Sequence, residues 1–212
     1  MPTLFEKFAN WLGLQDLFLR SRVHSPGRYP DDVVVSPVRA KIEKISPIQE
    51  NGLIQEKNLL GRPRFINLWE LLNQGEWSDS FVGGTYIKQY LAQWDPHYVI
   101  SPTGGYVVDQ ISEAGRALPI FLMRRADLKN ERYTLFIQTE HGFRIGLIMI
   151  GSWLVKSLTI NCKPNRRYFR GERLGHFRLG SSVVLIFPKH AIALLCKEGE
   201  KIEYGEPIAR FR

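Results

Sequence analysis

A Gly180-Ser181-Ser182 junction stands immediately ahead of the apolar run Val183-Val184-Leu185-Ile186-Phe187. Five apolar residues behind such a junction read as a buried strand entered through a turn. Glycine has no Cβ, so its backbone can be approached closely and can take strained conformations. A serine directly after it can set its hydroxyl against the preceding carbonyl. Attack there converts a peptide link into an ester, the first step by which a chain cuts itself. The plain alternative is an ordinary turn. The chemistry needs a base for the Ser181 proton and donors for the oxyanion on Gly180. Histidine is the natural base near neutral pH. The chain has five: His24, His97, His141, His176 and His190.

Many short segments must position these groups. Val33–Val35, Lys41–Ile45, Leu53–Gln55, Phe81–Leu91, Tyr106–Ile111, Arg132–Thr139, Gly146–Ile150 and Val155–Asn161 read as strands. Asn51-Gly52 marks a hairpin turn, and Gly83-Gly84 a bulge or turn. Leu68–Leu72 reads as one or two helical turns. Ala191–Arg212 alternates apolar residues around Gly199 and Gly205-Glu206-Pro207. The pattern predicts an α+β fold that is mainly β, with antiparallel sheets, barrel-like, and few helices. Leu4 to Arg20 spaces Leu4, Phe5, Phe8, Trp11, Leu12, Phe18 and Leu19 as an amphipathic helix. That helix either packs on the core or lies in a membrane interface with Arg20 and Arg22 outward. The expected organisation is a helix and connector over 1–28 and one domain over 29–212.

The 212 residues carry 29 Lys and Arg against 21 Asp and Glu, a formal charge of +8, which suits an anionic partner. Basic residues are scattered apart from Arg166-Arg167 and Arg170, and no nucleic-acid recognition motif appears, so no nucleic-acid partner is expected. Cys162 and Cys196 form no metal spacing and read as buried thiols in a reducing compartment. No run reaches the roughly 18 apolar residues that span a bilayer. The N-terminus has no basic start, apolar core and small-residue cleavage site, so no secretory signal is expected. No repeat of 20–50 residues stands out.

Arg170-Gly171-Glu172 with Gly175-His176-Phe177-Arg178-Leu179-Gly180-Ser181-Ser182-Val183 resembles the C-terminal pattern of the phosphatidylserine decarboxylase family, K-G-x-E-x-G-x-F-x-x-G-S-T-V. Ser182 replaces the threonine and the acidic residue is displaced. The resemblance implies an autocatalytic cut between Gly180 and Ser181, leaving chains 1–180 and 181–212. Ser181 becomes a pyruvoyl group at the head of the shorter one. Its carbonyl condenses with a substrate amine and takes up the electron pair left when CO2 departs, as pyridoxal phosphate does. This route calls for no metal and no added cofactor. Lys197-Glu198-Gly199-Glu200-Lys201-Ile202 with Gly205-Glu206-Pro207-Ile208 resembles the tail of lipoyl- and biotinyl-type modules, which implies a barrel-sandwich-hybrid-type C-terminal part.

Tyr90–Pro102, YLAQWDPHYVISP, is similar to the family tract Y-L-S-P-R-D-Y-H-R-V-H-M-P, with Asp95, His97, Val99 and Pro102 matching. The resemblance makes His97 a catalytic residue of the decarboxylation site, beside Ser181. The family's second histidine, base of its self-processing triad, falls on Ile100. Ser36-Pro37-Val38-Arg39-Ala40 is similar to S-P-x-D-G, and Arg39 falls on the triad aspartate. An aspartate orients a histidine and stabilises its cation, whereas an arginine repels it. His141, in Glu140-His141-Gly142 on the family's E-x-G tract, is a candidate substitute base. Asp95, Asp31 and Asp32 are candidate substitute acids. Ile150-Gly151-Ser152-Trp153-Leu154-Val155 follows V-G-A-x-x-V. The resemblance covers most of residues 29–212.

Two functions follow as expectations. One is a pyruvoyl-dependent lyase that forms phosphatidylethanolamine from phosphatidylserine, cytoplasmic and peripheral on an anionic phospholipid membrane surface. The other is a degenerate relative that binds lipid, forms a homo-oligomer or partners an active homologue, with Arg39 pairing to a headgroup. Decarboxylation of a soluble amino acid becomes the third if the N-terminal helix packs on the core.

Overall fold

The computed structural model describes residues 27–57, 63–73, 75–92, 95–116, 118, 126–151, 158–177 and 181–212. The amphipathic segment 4–20 lies outside the described residues. The strands are Val33–Val35 (β1), Ala40–Pro47 (β2), Leu53–Lys57 (β3), Pro63–Asn67 (β4), Thr85–Leu91 (β5), Tyr98–Ile100 (β6), Gly105–Glu113 (β7), Arg132–Thr139 (β8), Arg144–Gly151 (β9), Leu158–Ile160 (β10), Arg167–Tyr168 (β11), Arg173–Phe177 (β12), Ser181–Phe187 (β13), Ile192–Leu194 (β14), Lys201–Ile202 (β15) and Pro207–Phe211 (β16). Two short helices, Leu68–Leu71 (α1) and Ala126–Lys129 (α2), and a 3-10 turn at Ser78–Phe81 complete the described elements.

The expectation of a mainly β, antiparallel fold holds. Eight strands form one sheet in the order β11-β7-β8-β9-β13-β5-β2-β15, and every neighbouring pair is antiparallel. Among the described residues the barrel-like closure expected from sequence is not made: the sheet ends in β11 at one edge and β15 at the other. The C-terminal turns feed β14 and β16 into a small sheet with β1, and β15 onto the edge of β2. A third small sheet orders β10-β12-β6, and β3 and β4 form a hairpin. The hairpin turn at Asn51-Gly52 forms as predicted, with Gly52 at φ +69°, a conformation that suits glycine.

All seven residues of β13 are buried. A strand covered on both faces loses its alternation and reads as a continuous apolar run, the signal that located it in the sequence. Val183, Leu185 and Phe187 enter the larger core cluster with Ile87, Leu91, Leu147 and Met149. Val184 and Ile186 enter the smaller one with Tyr86, Phe136, Ile148 and Ile150. Burying each large aliphatic or aromatic side chain contributes on the order of 1.5–3 kcal/mol, so β13 is a principal anchor of the sheet.

The strand expected over Phe81–Leu91 begins only at Thr85, because Ser78–Phe81 is a 3-10 turn and Gly83 takes φ +74°. Of the strand expected over Val155–Asn161, Leu158–Ile160 is formed and 152–157 lie outside the described residues. Cys162 and Cys196 are buried free thiols, as expected, and burial pushes both up to about 11. Among the described residues no helix is long and apolar enough to cross a membrane.

Candidate active site

Ser181 is the first residue of β13 and is fully buried. It stands opposite Leu91 of β5 on one side and Gly151 of β9 on the other. Gly151 contributes no side chain beside it. The Ser181 hydroxyl oxygen has no hydrogen-bond partner among the described residues. Leaving a buried hydroxyl unpaired costs roughly 1–3 kcal/mol, and orphaned polar groups of this kind gather where chemistry is done. Gly180 lies outside the described residues, so only the serine half of the Gly180-Ser181 bond is placed.

His97 is fully buried just ahead of β6. Its carbonyl oxygen accepts from the Phe177 N–H at 2.8 Å, at the end of β12 and four positions before Ser181 in the chain. Tyr98 and His176 pair across β6 and β12 with ring centroids 5.8 Å apart. The Tyr204 hydroxyl lies 2.8 Å from the Pro96 carbonyl and 2.7 Å from that of Tyr98, fastening the backbone on both sides of the histidine. Burial lowers the His97 imidazole to about 4, against a smaller opposing effect of a hydrogen bond with the Asp95 backbone. At neutral pH His97 is therefore an uncharged imidazole.

Arg39 and Ile100 are brought near each other and then turned apart. The Ile100 N–H donates to the Pro37 carbonyl at 2.9 Å, two residues before Arg39. Ile100 is fully buried in the larger core with Val38. The Arg39 side chain is half exposed, with its Nε 3.1 Å from Glu203 Oε1 and 3.8 Å from Asp95 Oδ1. Asp95 also accepts from the Ala92 N–H at 2.8 Å, closing the turn that leads to His97. Two acids thus surround the Arg39 cation.

His141 sits in the hairpin between β8 and β9, at the end of the sheet away from Ser181. The register shows this directly: Ser181 faces Gly151 at one end of β9, and His141 lies beyond Arg144 at the other. Eight residues of strand separate the ends by about 20 Å. His141 Nε2 lies 3.0 Å from the Asp31 carbonyl oxygen, and the ring stacks on Phe211 at 5.0 Å. Asp32 is at the same end, 3.2 Å from Arg210. The structure does not bring His141, Asp31 or Asp32 to Ser181.

Sequence reading overlooked a buried charge cluster on the opposite face of the sheet. Lys88 Nζ lies 2.9 Å from Asp127 Oδ1, 3.2 Å from Glu43 Oε2 and 3.5 Å from Glu56 Oε1. Arg64 pairs with both Glu56 and Asp127, and the Tyr86 hydroxyl donates to Glu56 at 2.7 Å. Burial alone would lower the Lys88 ammonium, but Asp127, Glu56 and Glu43 raise it above the ordinary lysine value. The cluster clamps the β3–β4 hairpin and α2 onto β5. Its signal in the sequence was Lys88-Gln89 inside an otherwise apolar and aromatic strand.

These features define a mainly antiparallel β chain with a buried serine, unpartnered among the described residues, at the head of a central strand. A model of the phosphatidylserine decarboxylase family matches residues 14–210, and the chain belongs to that family. It is 28% identical over 200 residues to the phosphatidylserine decarboxylase proenzyme of Coxiella burnetii (strain RSA 493 / Nine Mile phase I), covering 82% of this chain and 69% of that protein. Over 218 residues it is 29% identical to the proenzyme of Geobacillus sp. (strain WCH70), covering 94% and 80%. The proenzyme of Anoxybacillus flavithermus (strain DSM 21510 / WK1) is 28% identical over 197 residues, covering 89% and 71%.

Proposed function

We propose that this chain is a self-processing, pyruvoyl-dependent phosphatidylserine decarboxylase. The observation that carries the reading is the interior Ser181 hydroxyl without a described partner, in a chain of this family. Ser181 Oγ adds to the Gly180 carbonyl carbon and gives its proton to a base. The carbon–nitrogen bond breaks, the nitrogen takes a proton, and an ester joins the two residues. Removal of the Ser181 Cα proton then expels Gly180 as a carboxylate. Water replaces the nitrogen of the dehydroalanine left behind, ammonia departs, and a ketone heads 181–212. The buried position opposite Gly151 suits that group, which supplies the carbonyl for the substrate amine and an acceptor for the electrons freed with CO2. His97, uncharged at neutral pH, accepts the proton that the substrate ammonium loses as it condenses and delivers it to the substrate carbon once CO2 has left.

The partner in this reading is an anionic phospholipid surface. Phe169 and Tyr106 stand exposed at the β11 edge, where Arg167 pairs with Tyr106 in register and lies over the Phe169 ring at 4.7 Å. Basic residues beside exposed aromatics suit a headgroup region.

Arg39 and Ile100 favour a second reading, in which the serine site is inherited and the chain is a non-catalytic lipid-binding relative. Intact-mass analysis separates the two. A self-processing chain yields fragments 1–180 and 181–212. A single species of 24.5 kDa after long incubation would sink the first reading.

A further inference from the structure

Gln89 is fully buried in the middle of β5. In the β5–β13 register Leu91 faces Ser181 and Gln89 faces Val183. Side chains two apart on a strand share a face, so Gln89 and Ser181 are diagonal neighbours on one face. That face carries Ile87, Leu91, Val183 and Leu185 into the larger core. Diagonal neighbours lie about 7–8 Å apart, within reach of a long side chain. Gln89 Nε2 and Ser181 Oγ are both buried, and neither has a hydrogen-bond partner among the described residues. At the other end of the carboxamide, Gln89 Oε1 lies 3.4 Å from Ser36 Oγ, whose single proton goes to the Val38 carbonyl at 2.7 Å. One amide atom is thus left over beside one left-over hydroxyl.

We propose that Gln89 is a positioning residue for Ser181, linked to its hydroxyl through one bridging water, the usual bridge when polar groups stand too far apart to touch. The role rests on the self-processing reading. With Arg39 and Ile100 at the family's acid and base positions, a neutral carboxamide is the group that orients the nucleophile here. Gln89 carries no proton away and breaks no bond; it holds the hydroxyl in the interior until the base acts.

Gln89→Leu keeps the size and removes the hydrogen bonding, and Gln89→Met is a second apolar variant should the first fail to fold. Gln89→Glu keeps an acceptor and adds a titratable group. Intact-mass time courses on the full chain are expected to show Gln89→Leu cut at least tenfold more slowly than wild type. Gln89→Glu should restore cutting, with a pH profile displaced from that of wild type. Equal rates for wild type and the apolar variants overturn the proposal while leaving self-processing standing. If wild type stays whole, self-processing fails, and the pairing is read from urea midpoints of wild type, Gln89→Leu, Ser181→Ala and the double variant. A double-variant shift smaller than the sum of the single shifts supports the link, and additive shifts overturn it.

Discussion

The Phe177 N–H reaches the His97 carbonyl oxygen at 2.8 Å, and this bond ties the site histidine to the strand that precedes Ser181. On its other side the same backbone is fastened by the Tyr204 hydroxyl, close to the carbonyls of Pro96 and Tyr98. Tyr204→Phe removes only that hydroxyl. It is expected to destabilise the fold by about 1–2 kcal/mol in urea titrations. It should also slow the cut at Ser181 without removing a reacting group, as read by intact mass. An unchanged midpoint would show that the hydroxyl does not fasten this loop.

His97 makes the fold acid-sensitive. The unfolded chain takes up its histidine proton near pH 6.5, while burial holds the folded imidazole at about 4. Stability is therefore lost as pH falls from about 6.5 to 4, and the difference amounts to about 3 kcal/mol. His97→Gln should flatten that part of the profile when urea midpoints are compared at pH 7 and pH 4.5. Parallel profiles for the two proteins would refute the assignment.

Lys88 is held by carboxylates in the interior, and removing one member of such a set leaves charge uncompensated. Lys88→Met is expected to destabilise by about 3–5 kcal/mol in chemical denaturation. Adding Asp127→Leu should return part of that loss, since the stranded carboxylate goes with it. Two losses that simply add would mean the groups do not act together.

Arg39 is half exposed and ion-paired, so Arg39→Ala should change stability by no more than about 1 kcal/mol. Binding to anionic vesicles by the same variant tests the headgroup role, and unchanged affinity counts against it. Restoring the family residues is the stronger experiment. Arg39→Asp with Ile100→His should speed cutting at Gly180-Ser181 at least tenfold, because both positions that the resemblance assigns to an acid and a base are then filled. Arg39→Asp alone should not, since Ile100 still offers no imidazole. Equal time courses for both variants would remove Ile100 from the account.

The apolar runs of β13 and β9 and the turn at Asn51-Gly52 were legible because each is a local pattern, set by neighbours in the chain. The strands β4, β6 and β12 were not, since Pro63–Asn67, Tyr98–Ile100 and Arg173–Phe177 carry mixed residues that become strands through their partners. Ser181 and His97 could be singled out from residue type and from resemblance. That His141 stands at the far end of the sheet could not, because strand register joins residues far apart in sequence. The same holds for Gln89 beside Ser181, and for Arg39 turned toward Asp95 and Glu203. By itself the chain's order of residues determined the strands with a local apolar pattern, β13 above all, and singled out Ser181 by its resemblance to the family. Only the tertiary structure decided which side chains meet that serine, because a one-residue change of register sends every side chain to the opposite face.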